Sequence, residues 1–207
     1  MSPNSVQMGQ GRRLILASKS KARAAVLRGA GLQFEQIASG VDEEALKEAL
    51  RAEGASVAKQ ADLLAETKAL KVSISHPGVV LGCDQMLDLD GQGLDKVSSR
   101  EAAADILRRL RGKTHILQGA IVACVDGAPV WRHLAQPRLR VRNFSEAFLQ
   151  TYLDAIGEDA FESVGCYQLE GLGAQLFDRI DGDYFSILGM PLLPLMQWLR
   201  DRGSLAQ

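Results

Sequence analysis

Apolar residues recur along the chain in two rhythms, and together these predict an α/β order of elements. Short unbroken apolar runs mark buried strands: Arg12 to Ala17, Leu32 to Ala38, and Val79 to Gly82. The last of these runs into Cys83-Asp84 and continues from Met86 to Leu89, where Asp90-Gly91 turns the chain back. His115 to Val125 and Val130 to Val141 read as two more strands, joined by an Asp126-Gly127 turn. Spacings of three and four mark helices. One runs from Lys21 to Arg28 and is ended by Gly29 and Gly31. A second covers Glu43 to Glu53, with Ala45, Leu46, Ala49 and Leu50 on one face. Ser56 opens a longer one carrying Val57, Ala61, Leu64, Ala65 and Leu70, broken by His76-Pro77-Gly78. Ser98 to Leu110 follows, with Ser98 and Glu101 as a capping box and Ala102, Ala103, Ile106, Leu107 and Leu110 as its stripe. Ser145 caps a helix through Ile156; residues 162–189 are Gly-rich and strand-like, with a turn at Asp181-Gly182; Met190 to Arg200 closes the chain as an amphipathic helix. The fold class is α/β: a mixed twisted sheet with flanking helices and some antiparallel hairpins. There is no repeat, low-complexity tract or long linker.

Composition narrows the function. The 207 residues suit one domain, or two small lobes sharing a cleft, and 46% apolar residues supply a substantial core. The formal net charge of −1 gives no global basic field to hold DNA or RNA, so any bound anion is met by a local group of Lys and Arg. No apolar run reaches the roughly 18 residues of a membrane helix, and the polar start lacks a signal-peptide core. Residues 1–11 read as a loose tail ahead of a domain spanning 12–203, in a soluble cytoplasmic protein with no membrane partner. Cys83, Cys124 and Cys166 contain no C-x-x-C pair and read as buried thiols in a reducing compartment. His76, His115 and His133 show no pairing pattern.

Four stretches carry candidate chemistry. At the first strand–helix junction, Ser18 and Ser20 stand among Lys19, Lys21 and Arg23. Free backbone N–H groups and the positive end of the helix dipole collect at such a junction. The stretch is either a phosphate cradle or a capped helix with solvated cations. Asp84, with Gln85 beside it, ends an apolar strand, where α/β sheets gather ligands. There it either binds Mg²⁺, accepts a proton from water, or starts a turn. Glu43 with Asp42 and Glu44, Lys68, Lys96, and Lys113 with Arg111 are dispersed charges of the kind a triphosphate site assembles from several elements. Gly165 to Gly173, containing Glu170, reads as close backbone approach to a ligand or as ordinary glycine turns.

Taken in order, these stretches resemble the Maf family of nucleotide pyrophosphatases. Leu14-Ile15-Leu16-Ala17-Ser18-Lys19-Ser20 is similar to the family's opening, and Leu81-Gly82-Cys83-Asp84-Gln85 to its G-x-D segment. Gly93-Leu94-Asp95-Lys96, Gly112-Lys113-Thr114-His115, Glu170-Gly171-Leu172-Gly173-Ala174, Arg179 to Tyr184 and Leu188 to Leu192 resemble the later motifs. The resemblance spans Leu14 to Leu199. It implies a two-lobed fold of the Maf/inosine-triphosphatase type around a central cleft, a homodimer, and hydrolysis of nucleoside triphosphates to monophosphate and pyrophosphate with a divalent cation, Mg²⁺ or Mn²⁺. It makes Asp84 the proton acceptor, and Glu43 and Asp84 the metal ligands. It assigns Ser18, Ser20, Arg23, Lys68, Lys96, Lys113, Gln85 and Glu170 to phosphate and substrate. The chain departs from the pattern at Lys21, Ala22 and Val97. Gln85 and Glu170 resemble the branch preferring 7-methyl-GTP, while that branch has a tryptophan where Ala22 stands. Two rivals stay open: a catalytically weak nucleotide-binding regulator of cell division, and a transferase using the same cradle.

Overall fold

The structure is a computed structural model that describes residues 13–205; the tail expected at residues 1–11 lies outside them. In chain order the elements are β1 (Leu14–Leu16), α1 (Lys21–Gly29), β2 (Glu35–Gln36), α2 (Glu43–Ala52), α3 (Val57–Ser73), β3 (Val79–Leu89), β4 (Gln92–Leu94), α4 (Arg100–Leu110), β5 (Thr114–Val125), β6 (Ala128–Ala135), β7 (Arg138–Val141), α5 (Glu146–Ile156), β8 (Phe177–Asp181), α6 (Tyr184–Ile187) and α7 (Leu192–Asp201). The strands form a mixed sheet in the order β2-β1-β3-β5-β7-β8, with β4 on β3 and β6 on β5. The expected α/β class is the observed one.

The chain divides into two compact units. The first holds residues 13–85, 119–135 and 184–205. In it β1 pairs in parallel with β2 and with β3, Leu14 opposite Val79 and Leu16 opposite Leu81. Its core joins Leu14, Leu16, Leu27, Leu81, Ile121, Leu195 and Leu199, so the last helix closes on the first strand. α3 lies tightly on β3: a Cβ on Gly82 would fall 2.0 Å from Ala65 O and 2.7 Å from Ala69 N. The second unit, residues 86–118 and 136–183, is built on antiparallel pairs: β3 with β4, β5 with β7, and β7 with β8.

Helix starts are set by side-chain caps, with Ser20, Asp42, Ser56 and Ser145 each accepting a backbone N–H of the first turn. Several expectations are corrected. The cap of α4 is Ser99, which accepts from Ala102 N, so Ser98 and Glu101 form no capping box; either of two adjacent serines can cap, and the chain uses the second. The strand expected from Val130 to Val141 is two, interrupted at Pro137, which has no N–H to give to a ladder. Residues 162–189 are mainly turns, with one 3₁₀ segment (Leu172–Leu176), one strand, β8, and the short helix α6. The glycines there serve close packing: a Cβ on Gly173 would lie 2.4 Å from Gln168 O. The apolar face of α2 is largely open, with Ala45 and Ala49 exposed and Leu50 buried. Asp84 stands inside the 11-residue β3 rather than at its end.

Candidate functional site

The parallel ladder fixes where the site lies. It pairs β1 with β3 only as far as Leu16 and Leu81, and Ala17 N then donates to Leu81 O at 2.8 Å. Beyond that point both chains leave the ladder. One becomes the Ser18–Ser20 turn; the other continues as Cys83-Asp84-Gln85. Asp84 therefore keeps the position expected of it, at the carboxyl end of the parallel pairing, although its strand runs on.

The turn is tied from three sides. Ser20 Oγ caps α1 by accepting from Arg23 N at 3.3 Å. Ser18 Oγ accepts from Ser20 N and from Arg23 Nη1, both at 3.2 Å. Arg23 Nη1 also donates to Cys83 O at 2.8 Å, and Arg23 Nε to Gly189 O at 3.0 Å. Gln36, on β2, donates to Ser18 O at 2.8 Å.

Across from the turn, α3 delivers Lys68. Its Nζ lies 2.6 Å from Asp84 Oδ1 and 2.8 Å from Glu43 Oε2. Lys68 is 5% exposed and Asp84 6%, so their charges meet away from bulk water, while the Glu43 side chain is 43% exposed. The loop ahead of α2 is held to the same helix by Lys71, which donates to Gly40 O. Ala17, Ser18, Lys19, Ser39, Gly40, Val41, Glu43 and Lys68 line a pocket of about 140 Å³. Sites for whole drug-sized ligands run from roughly 300 to 1,000 Å³. This pocket is scaled to a phosphate group or two. Its cations and hydroxyls suit that load.

Of the residues expected at the site, Ser18, Ser20, Arg23, Glu43, Lys68, Asp84 and Gln85 meet in the first unit. Gln85 spends its amide N–H groups on Ser186 O at 2.9 Å and Ile187 O at 3.3 Å, holding α6. Lys96, Lys113 and Glu170 belong to the second unit and are exposed there. Lys113 lies 3.5 Å from Asp90, as one half of a surface ion pair. Glu170 stands inside the tight turn that Gly171 N closes on Gln168 O, just ahead of a 3₁₀ segment, Leu172–Leu176. Ser39 and Val41 entered no sequence argument. The Ser39-Gly40 pair is a turn signal, but nothing local says that the turn faces a pocket.

The remaining candidates are structural. All three cysteines are free and buried, as expected. Burial pushes the Cys83 thiol up to about 11, so the residue beside Asp84 is a poor nucleophile. His115, for which the sequence offered no partner, lies 2.7 Å through Nε2 from Tyr167 OH in the second unit. Burial pulls its pKa down to about 4, which keeps the ring neutral.

A divalent cation fits the donor set. Glu43 and Asp84 bring two hard carboxylate oxygens against one cationic centre, at present the Lys68 ammonium. Mg²⁺ and Mn²⁺ take such oxygens and fill the rest of an octahedron from water and phosphate. Among the described residues no group of three or more His, Cys, Asp or Glu side chains is placed to hold a metal.

A parallel β–α edge, a hydroxyl-rich turn at its carboxyl end and a buried Lys flanked by two carboxylates define an α/β protein with a candidate site for a polyanion. The chain belongs to the Maf family: the family model described as Maf-like protein matches residues 13–202. Among curated proteins it is similar to the nucleoside triphosphate pyrophosphatase of Hyphomonas neptunium, with 53% identity over 190 residues, 92% of this chain and 96% of that protein. It is 50% identical to the protein of the same name from Caulobacter vibrioides, over 92% of this chain and 96% of that one. It is 44% identical to the 7-methyl-GTP pyrophosphatase of Brucella abortus, over 91% of this chain and 95% of that one. No described helix is long and apolar enough to cross a membrane.

Proposed function

We propose that this Maf-family chain hydrolyses nucleoside triphosphates to nucleoside monophosphate and pyrophosphate. The observation that carries the reading is the Lys68 ammonium held between Glu43 and Asp84 at the edge of a phosphate-sized pocket. Water attacks the α-phosphorus, the α–β anhydride breaks, and pyrophosphate leaves with the bridging oxygen. Asp84 accepts the proton of the attacking water. Lys68 and Lys19 meet the negative charge that builds on the phosphate oxygens, and the Ser18 turn orients them. A divalent cation, when bound through Glu43 and Asp84, neutralises phosphate charge and makes water more acidic. No covalent intermediate is required.

Product analysis with purified protein and Mn²⁺ tests this. Monophosphate and pyrophosphate are expected in equal amounts without any acceptor, and Asp84→Asn abolishes both. Equal turnover by Asp84→Asn sinks the mechanism. A protein that binds nucleotide but turns none over is the regulator of the rival reading. Chelation with EDTA is expected to stop turnover, and turnover that persists in EDTA removes the metal.

Base preference is proposed to involve Glu170, a carboxylate suited to the N1–H/N2–H₂ edge of guanine or to a cationic methylated purine. One relative carries the name 7-methyl-GTP pyrophosphatase. A panel of 7-methyl-GTP, GTP, dTTP and UTP decides the point; fast dTTP without 7-methyl-GTP hydrolysis removes that preference. The family resemblance adds a homodimer, which sedimentation at micromolar concentration checks.

A further inference from the structure

We propose that His115 and Tyr167 are positioning residues that set where Glu170 stands, and so tune base preference without touching the nucleotide. The inference rests on the Glu170 reading above and adds two residues of the same unit to it. Both are buried, Tyr167 at 6% exposed and His115 at 1%, so they act through the chain rather than by contact.

Glu170 is exposed, and its carboxylate has no partner among the described residues. A group left free in this way takes its position from the backbone that carries it. That backbone is tightly folded: Gly171 N donates to Gln168 O at 3.2 Å, and a Cβ on Gly173 would lie 2.4 Å from the same oxygen. Downstream, the segment is tied to the chain after β7, where Arg142 N donates to Leu176 O at 2.8 Å and Arg142 Nε to Gln175 O at 2.6 Å. Upstream, its anchor is Tyr167.

The backbone around Tyr167 is held by side chains. Ser163 Oγ accepts from Tyr167 N at 2.9 Å and donates to Tyr167 O at 2.6 Å. Tyr152 OH, on α5, donates to Cys166 O at 3.0 Å. Cys166 has φ +59, a left-handed conformation that a residue with a Cβ keeps only where its surroundings enforce it. The ring of Tyr167 fills space that Gly165 leaves open, since a Cβ there would fall 2.2 Å from Tyr167 Cε1. It meets Phe177 edge-on, with centroids 4.8 Å apart. A phenylalanine would make these apolar contacts equally well, and such contacts are non-directional. The hydroxyl adds direction: it shares a 2.7 Å hydrogen bond with His115 Nε2 on β5. His115 Nδ1 is buried without a partner among the described residues, so this bond is the ring's one hydrogen bond. Breaking it strands two buried polar groups at once.

Tyr167→Phe deletes the oxygen and keeps the ring. His115→Leu deletes the partner, whereas His115→Gln keeps an amide able to meet the hydroxyl. Two measurements on the full chain separate positioning from a plain loss of stability. The first is hydrogen exchange at the Cys166, Tyr167 and Gly171 amides. Exchange roughly tenfold faster is expected there in Tyr167→Phe and His115→Leu, with the amides of β6 unchanged and His115→Gln recovering most of the protection. The second is the ratio of kcat/KM for 7-methyl-GTP to that for dTTP. A smaller folded fraction scales both substrates alike and cancels from this ratio. Tyr167→Phe should shift the ratio by about threefold or more, and in the Glu170→Gln background by less than about twofold. Exchange like the wild type's in Tyr167→Phe overturns the anchor. Faster exchange with an unmoved ratio, where Glu170→Gln itself moves the ratio, overturns the tuning role. A Glu170→Gln protein with the wild-type ratio removes the base reading instead; the tuning role falls with it, and exchange still decides the anchor.

Discussion

Lys68 Nζ lies 2.6 Å from Asp84 Oδ1, in a place where both side chains are withdrawn from water. Lys68 sits on α3 and Asp84 on β3, and α3 comes this close because Gly82 presents no side chain. A buried pair of this kind is costly to break and cheap to remove whole. Deleting one partner leaves an uncompensated charge, at about 3–5 kcal/mol, whereas replacing both with apolar groups is often neutral. Lys68→Met is therefore expected to destabilise by a few kcal/mol, and Lys68→Met with Asp84→Leu to recover most of the loss. Urea unfolding of the two proteins checks this; simple additivity of the single effects would mean that the charges are not coupled.

Gly82 itself gives a sharper outcome. A methyl group there would stand 2.0 Å from a backbone oxygen and 2.7 Å from a backbone nitrogen of α3, and backbone in a helix cannot swing aside as a side-chain tip can. Gly82→Ala should lower stability by more than the ~1–3 kcal/mol usual for overpacking. It should also reduce activity, since α3 carries Lys68. A melting temperature within a degree or two of the wild type would show that the helix can retreat.

Acid sensitivity is expected from His115. Its folded pKa is depressed to about 4 by burial, against an ordinary value of 6.5. The folded state stays neutral where the unfolded chain binds a proton, so stability is complete above about pH 6.5 and falls as the pH drops toward 4. The full effect is on the order of 3 kcal/mol. His115→Gln should flatten the stability curve over that window, as read by denaturant midpoints between pH 7 and pH 4. A variant with the wild-type slope would assign the acid loss to other groups.

The two serines before α4 separate cleanly. Ser99→Ala removes the acceptor of Ala102 N and should cost about 1 kcal/mol. Ser98→Ala, whose residue is exposed, should change little. Thermal melts of the pair decide it, and equal losses would mean the cap is shared.

That pair also shows what sequence can and cannot decide. Period and capping chemistry located α1, α3, α5 and β1 closely, because Ser20, Ser56 and Ser145 act within one turn of chain. Ser98 and Ser99 have the same chemistry, and only the path of the backbone chooses between them. The stretch from 162 to 189 was misread because glycines and scattered apolar residues mimic weak strands, while Gly173 is there to let the chain fold against Gln168. Asp84 was recognisable as a polar break in an apolar run, but that run continues as β3 on both sides of it. The meeting of Glu43, Lys68 and Asp84 comes from three elements and is invisible to spacing. A motif named Asp84, and the family resemblance added Glu43 and Lys68 by position; packing alone brings Lys68 between the two carboxylates.

The interleaving of the two units has a consequence for how the protein is made. The first unit takes β1, β2 and most of β3 from the early chain, most of β5 and all of β6 from residues 119–135, and its closing helix, α7, from Leu192–Asp201. While the ribosome has released only the first 180 or so residues, the surface of Leu14, Leu16 and Leu27 that Leu195 and Leu199 later cover has nothing on it. Neither unit can be cut out of the gene as one continuous piece, and a nascent chain halted before α7 carries a bare apolar face that invites chaperones or aggregation. The candidate site, though its residues lie within the first 85 positions, belongs to a unit that is complete as a folded object only once α7 has emerged.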